Sequence, residues 1–105
     1  MKSLNSKNFE KTINSNKLSV VKFWSEYCLQ CSALDPTLKK LEDKYSNIKF
    51  YSANVGEIGD IAMVYGIMSL PTVILFKDRE PIHQFYGNLP LSEFEKEFDK
   101  LWKKL

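Results

Sequence analysis

The strongest structural signal in this chain is the stretch Val20-Val21-Lys22-Phe23-Trp24-Ser25-Glu26-Tyr27-Cys28-Leu29-Gln30-Cys31, which joins a strand to a helix beginning with two cysteines. The first five residues are β-branched or aromatic apart from Lys22, a composition typical of a central strand covered on both faces. Two cysteines three positions apart on the first turn of a helix can close a small disulfide ring. The unpaired N–H groups and the dipole at that end of the helix favour a thiolate on Cys28. The stretch therefore predicts a reactive cysteine pair.

Length and composition predict one globular domain covering residues 1–105. Of the 105 residues, 44% are hydrophobic and 13% are aromatic, which argues against disorder. The net charge of +2 comes from lysines scattered among acidic residues, so a nucleic-acid partner is not expected. No stretch has the pattern of a signal peptide or a membrane span, so we expect a cytoplasmic monomer without a membrane partner. In the cytoplasm a lone cysteine pair is more often reactive than structural.

Hydrophobic periodicity predicts the element order α-β-α-β-α-β-β-α. We expect helices at residues 7–14, 28–45, 58–65 and 92–105, and strands at residues 19–24, 48–54, 72–77 and 81–86. The first half gives a parallel βαβ unit and the second an antiparallel hairpin, so the sequence predicts an α/β fold with a mixed sheet of about four strands flanked by helices. Pro36 should kink the second helix near its start. The last helix should bury one stripe: Phe94, Phe98, Leu101, Trp102 and Leu105.

Together with this element order, a set of landmarks makes the chain resemble the thioredoxin family over essentially its whole length. The landmarks are Phe23-Trp24-Ser25-Glu26-Tyr27-Cys28-x-x-Cys31, Pro36, Tyr65-Gly66-Ile67, Leu70-Pro71-Thr72 and Gly87. The Cys-x-x-Cys motif beside a strand–helix unit is a redox signal in its own right. The proline about forty residues later, in front of an apolar strand, makes the resemblance far more specific. A thioredoxin-like fold is therefore expected.

The resemblance implies a thiol–disulfide oxidoreductase that acts on protein disulfides with no bound cofactor or metal. In that case Cys28 attacks the substrate disulfide and Cys31 resolves the mixed disulfide. The resemblance also implies recharging by a flavoprotein similar to thioredoxin reductase, which uses NADPH. A shallow groove for the substrate chain would be rimmed by Tyr27, Leu70, Pro71, Tyr86 and Gly87, with Pro71 in the cis form and facing the disulfide. The two tyrosines are equally compatible with ordinary surface aromatics.

Two departures from the family pattern bear on the reduction potential. Leu29-Gln30 stands between the cysteines where ordinary thioredoxins carry Gly-Pro, and this dipeptide tunes the potential in the family. Lys22 occupies the position of a buried aspartate behind the second cysteine, and Ser52 replaces the lysine partner that often accompanies it. If Lys22 extends its ammonium group to water, the substitution is structural. If it stays buried, it either stabilises a thiolate and makes the disulfide more oxidising, or loses its proton and acts as a base for Cys31.

Other functions remain open from the sequence. A redox-inactive thioredoxin-fold binding or adaptor module is compatible with Lys22, Ser52 and the absence of Gly-Pro between the cysteines, although the retained cysteines, Pro71 and Tyr27 argue against it. Structural zinc needs four ligands, and the chain offers two cysteines and the single His83, so a metal would have to be shared between two chains. A glutaredoxin-like enzyme that uses glutathione is disfavoured, because the pattern just before the cysteines is that of thioredoxins.

Overall fold

The computed structural model of the chain describes residues 1–102, with the backbone alone described for Trp102. In this part of the chain five strands and five helices follow in the order β1 (Lys2–Leu4), α1 (Phe9–Ser15), β2 (Leu18–Trp24), α2 (Leu29–Ala33), α3 (Asp35–Lys44), β3 (Lys49–Asn54), α4 (Ile61–Val64), β4 (Thr72–Lys77), β5 (Glu80–Tyr86) and α5 (Leu91–Trp102). The predicted α/β class is confirmed. Over these residues, no helix combines the length and apolar character that crossing a membrane requires.

The strands form one mixed sheet in the order β1-β3-β2-β4-β5. Strands β1 and β2 run parallel to β3, whereas β4 is antiparallel to β2 and to β5. Strand β2 lies at the centre, which explains why its residues, apart from Ser19 and Lys22, are apolar on both faces. The sheet has five strands instead of about four because β1 was not predicted. That strand is three residues long and buries only Leu4, so it carries no periodic signal.

Two hydrophobic cores lie on opposite faces of the sheet. The core under α3 and α5 contains Leu38, Leu41, Phe94, Phe98 and Leu101. The core under α1 and α4 contains Phe9, Ile13, Val21, Phe23 and Phe76. The stripe predicted for the last helix is thus confirmed at its first three positions, whereas Leu105 and the side chain of Trp102 lie outside the described residues.

Pro36 divides the predicted second helix into α2 and α3. Helix α2 ends at Ala33, and α3 begins at Asp35 with Pro36 in its first turn, where the missing N–H removes no helical hydrogen bond. The predicted kink is confirmed. Because the break falls one turn after Cys31, it places the carboxylate of Asp35 beside the end of β2.

Two helices are shorter than predicted. Helix α1 begins at Phe9 instead of residue 7, because the side chains of Asn5 and Asn8 hold residues 5–8 in a turn. Asn8 Oδ1 accepts a hydrogen bond from the Asn5 amide at 2.8 Å, and Asn5 Oδ1 accepts one from the Asn8 amide at 3.1 Å. Helix α4 covers only Ile61–Val64, and Gly66 follows it with a φ of +65°.

Candidate active site

The two cysteines form a disulfide at the junction of β2 and α2. Cys28 is the N-cap residue of α2 and Cys31 lies one turn further on, with 5.4 Å between their Cα atoms. Cys31 is 2% exposed, whereas Cys28 is only partly buried. A sulfur atom approaching from solution therefore meets Cys28 first.

Four of the residues predicted to bind substrate, Leu70, Pro71, Tyr86 and Gly87, lie just before β4 and at the end of β5. The Leu70–Pro71 peptide bond is cis, so this prediction is confirmed. The Gly87 amide donates a hydrogen bond to the Pro71 carbonyl at 2.9 Å, and Thr72 pairs with Tyr86 in the antiparallel register. Four residues predicted to bind substrate are thus brought together at one end of the hairpin.

The exposed side chains beside the cysteines belong to the loop before α2 and to its first turn. Tyr27 is 93% exposed and Leu29 is 91% exposed, and Gln30 also faces solvent. Tyr27 lines a depression of about 350 Å³ together with residues 54–57, which end and follow β3. The structure therefore gives Tyr27 neighbours of its own, and its inclusion in one groove with Tyr86 stays a prediction.

Lys22 is buried and paired. Its side chain is 6% exposed, and Nζ donates to Asp35 Oδ1 at 2.6 Å and to the Cys31 carbonyl oxygen at 3.4 Å. The ammonium nitrogen also lies 5.8 Å from the centroid of the Trp24 ring. The side chain is thus buried, and its ammonium group contacts a carboxylate. It does not extend into open water, which was one of the alternatives that the sequence left open.

Asp35, which pairs with Lys22 and lines the same cavity as the cysteines, was not singled out from the sequence. It follows Cys31 by four positions, the spacing that puts two side chains on one face of a helix. That spacing is the signal that could have revealed it, although the helix break at Pro36 made the geometry uncertain. With Asp35 present, the group behind Cys31 is an ion pair and not a single positive charge.

An open cavity of about 590 Å³ connects the disulfide with this ion pair. Its lining includes both cysteines, Lys22, Trp24, Asp35 and Ser52. Ser52 lies opposite Lys22 in the β2–β3 register and lines the cavity. As the sequence indicated, this position offers a neutral side chain and no second charge. Among residues 1–102 no group of three or more His, Cys, Asp or Glu side chains is placed to hold a metal ion.

Two tyrosines have raised pKa values, Tyr45 within one core and the partly buried Tyr65 packed against the other. Burial and a hydrogen bond to Asp99 raise the pKa of Tyr45, which packs against Phe98. Burial, with smaller effects of nearby glutamates, raises the pKa of Tyr65. Both shifts arise mainly from packing, because burial denies the charged phenolate the hydration that it would have in water.

Comparison with known proteins gives a consistent result. The thioredoxin family model matches residues 1–100. Thioredoxin from Chlorobaculum thiosulfatiphilum is 35% identical over 96 residues, which cover 90% of this chain and 89% of that protein. Thioredoxin-1 of Saccharomyces cerevisiae is 32% identical over 82 residues, covering 78% and 80% of the two chains. The crystal structure of oxidized mitochondrial thioredoxin 3 from Saccharomyces cerevisiae matches with a TM-score of 0.86 at 29% identity, over 95% of this chain and 94% of that one.

Proposed function

Because the chain belongs to the thioredoxin family and holds a Cys28–Cys31 disulfide, it is a thiol–disulfide oxidoreductase, and we propose that Cys28 attacks and Cys31 resolves. The observation that supports this order is the difference in exposure between a partly buried Cys28 and a Cys31 that is 2% exposed. Thiolates exchange with disulfides by direct attack on sulfur, so the more accessible cysteine is the one that reaches a protein substrate.

In the proposed reaction two electrons pass from the protein dithiol to the substrate disulfide. The Cys28 thiolate attacks one substrate sulfur, forms a mixed disulfide and releases the other substrate sulfur as a thiolate, which takes up a proton. Cys31 then loses its proton and attacks Cys28 Sγ, which releases the second substrate thiol and closes the Cys28–Cys31 bond. The dithiol is oxidised, and the substrate disulfide is reduced to two thiols.

The proximity of Cys31 contributes more to this reaction than thiolate formation does. Lowering a thiol pKa from about 8.5 to about 7 raises the ionised fraction at pH 7 about 16-fold. The weaker nucleophilicity of the more acidic thiol takes back about fivefold, which leaves a net gain of about threefold. Holding the second sulfur within one helical turn makes resolution intramolecular, and well-oriented intramolecular reactions gain many orders of magnitude.

We further propose that the substrate chain lies along Leu70, Pro71, Tyr86 and Gly87, with Tyr27 on the far side of the disulfide. The hydrogen bond and strand pairing that join the ends of β4 and β5 support a common surface for the first four. Leu29, Gln30 and Lys22 are proposed to tune the reduction potential, the first two from the exposed turn and Lys22 from within the cavity.

The partners proposed for the chain are protein disulfides and a flavoprotein reductase that carries electrons from NADPH. Nothing needs to be bound permanently, because the electrons are held in the cysteine pair itself. A single cysteine pair used for exchange is typical of the cytoplasm, the compartment that we propose. Consumption of NADPH in a mixture with a thioredoxin reductase tests the reductase partner directly.

Reduction of insulin disulfides by dithiothreitol tests the assigned cysteines. The wild type should accelerate the reaction well above a Cys28→Ser control. In a separate reaction, Cys31→Ser that has been reduced and freed of dithiothreitol should accumulate a covalent mixed disulfide with insulin on nonreducing gels. A wild-type rate equal to that of Cys28→Ser would instead favour a redox-inactive binding module.

A further inference from the structure

The ion pair behind the disulfide is unequal in its exposure to water. The side chain of Lys22 is 6% exposed, whereas that of Asp35 is 49% exposed. Lys22 therefore has little access to hydration and depends on Asp35 and the Cys31 carbonyl oxygen for its hydrogen bonds. Asp35 can be hydrated on its outer side, and it stands in the first turn of α3, where the helix dipole favours a carboxylate.

We propose that Asp35 is a positioning residue for thiol exchange, and that its carboxylate both holds Lys22 beside Cys31 and cancels most of its charge. The reduction potential of the Cys28–Cys31 couple is then set by the pair and not by Lys22 alone. This inference rests on the proposed function, because the potential of the couple affects catalysis only if the two cysteines exchange with a protein substrate.

Other charged groups along the cavity do not replace Asp35. Glu26, Lys39 and Glu42 also line it. Lys39 pairs with Asp43 at 3.2 Å and with Glu42 at 4.0 Å, on the outer surface of α3. Among the ion pairs of residues 1–102, Lys22 contacts Asp35 alone. The cation nearest to Cys31 is thus neutralised by one identified carboxylate.

The sign of the effect follows from the charges. A cation near the cysteines stabilises the thiolate that forms when the disulfide is reduced, so it favours the dithiol and makes the disulfide more oxidising. Asp35→Asn removes the neutralising charge and should shift the couple in that direction. Lys22→Met leaves a carboxylate and should shift it the opposite way. The double variant contains neither charge and should lie close to the wild type.

The test is the equilibrium constant of each protein against a dithiothreitol buffer, read by trapping free thiols. A unit charge close to a sulfur in a partly buried site changes such an equilibrium by roughly tenfold. We therefore expect Asp35→Asn to favour the dithiol by about tenfold, which corresponds to about 30 mV. Lys22→Met should shift the constant in the opposite sense, and the double variant should stay within about threefold of the wild type.

Asp43→Asn is the matched control, because Asp43 lies on the same helix and also pairs with a lysine, but does not line the cavity. Asp35→Glu keeps the charge and should return the constant toward the wild type. The Cys28 thiolate absorbs near 240 nm, and the midpoint of its titration should shift to lower pH in Asp35→Asn. Loss of packing alone does not produce such a shift.

An equilibrium constant for Asp35→Asn equal to that of Asp43→Asn would overturn the proposal. This outcome is distinct from a failure of the proposed function, which would appear as a wild type that does not accelerate insulin reduction.

Discussion

The Lys22–Asp35 pair predicts an unequal loss of stability when its two members are replaced one at a time. Asp35→Asn leaves a buried ammonium group without its anion. Breaking a fully buried pair in this way costs about 3–5 kcal/mol, but the partial exposure of Asp35 and the oxygen retained by asparagine reduce that cost. We expect about 2 kcal/mol, or a melting temperature lower by about 10 °C for a domain of this size.

Lys22→Met should cost less. Methionine fills the path of the lysine stem, and the desolvation of the ammonium group, several kcal/mol, is no longer imposed. The carboxylate of Asp35, at 49% exposure, regains water. These effects offset the loss of a charge-assisted hydrogen bond, about 1.5–3 kcal/mol, so the variant should lie within about 1 kcal/mol of the wild type.

Urea unfolding of the oxidised proteins, followed by far-ultraviolet circular dichroism, measures this difference. Circular dichroism is preferred because Trp24 lies beside Lys22, so its fluorescence would report the local charge. In the reduced proteins Asp35→Asn should lose less stability than in the oxidised proteins, because a cysteine thiolate then partly compensates the Lys22 ammonium. The difference between the two losses should be about 1.4 kcal/mol if the equilibrium constant changes tenfold. The reasoning is refuted if Lys22→Met is the more destabilising variant by over about 1 kcal/mol in the oxidised form.

Two further predictions concern regions away from the cysteines. Tyr45→Phe removes the 2.6 Å hydrogen bond that the buried hydroxyl donates to Asp99 and should cost about 1 kcal/mol at neutral pH. Because the pKa of Tyr45 is raised in the folded state, its contribution to the free energy of unfolding is present below pH of about 10 and is lost as the pH rises further. The urea midpoints of wild type and variant should therefore converge above pH 10. A constant gap from pH 8 to 11 would contradict this prediction. In the hairpin turn Asp78 and Arg79 have φ values of +49° and +77°, a region that glycine adopts more readily than arginine does. Arg79→Gly should therefore stabilise the protein by about 0.5–1 kcal/mol in urea unfolding. Equal stability of Arg79→Gly and the control Arg79→Ala would contradict this prediction.

The longer elements could be predicted from the sequence because each carries a repeated signal. Strand β2 is apolar on both faces, α5 repeats its apolar residues at helical spacing, and Pro36 marks the break between α2 and α3. Strand β1 could not be predicted in this way, because its three residues are held by pairing with β3 and not by a pattern of their own. The start of α1 was misplaced for a similar reason, since the turn at Asn5 and Asn8 depends on side-chain hydrogen bonds that compete with the helix.

The site residues, too, were predictable only where a local motif or the resemblance identified them. The cysteine pair is a local motif, and the disulfide formed by Cys28 and Cys31 follows from a spacing of three residues on one helical turn. The cis bond before Pro71 was expected because the resemblance supplied it, and the hydrogen bond from Gly87 then joins it to the end of β5. The pairing of Lys22 with Asp35 is neither part of a local motif nor implied by the resemblance. It depends on how the side chain of a strand residue reaches a helix thirteen positions later.

The Lys22–Asp35 ion pair cancels the gain of positive charge that the sequence alone suggested. Lys22 in place of an aspartate, with Ser52 in place of a lysine, suggested a gain of positive charge behind Cys31. In the folded chain Asp35 supplies a negative charge, with its Oδ1 at 2.6 Å from Lys22 Nζ. A buried lysine seldom remains without an anion, because its desolvation is costly, so the carboxylate is a physical requirement of placing lysine there. The charge near a buried ionisable residue should therefore be counted only after the side chains that can reach it have been identified.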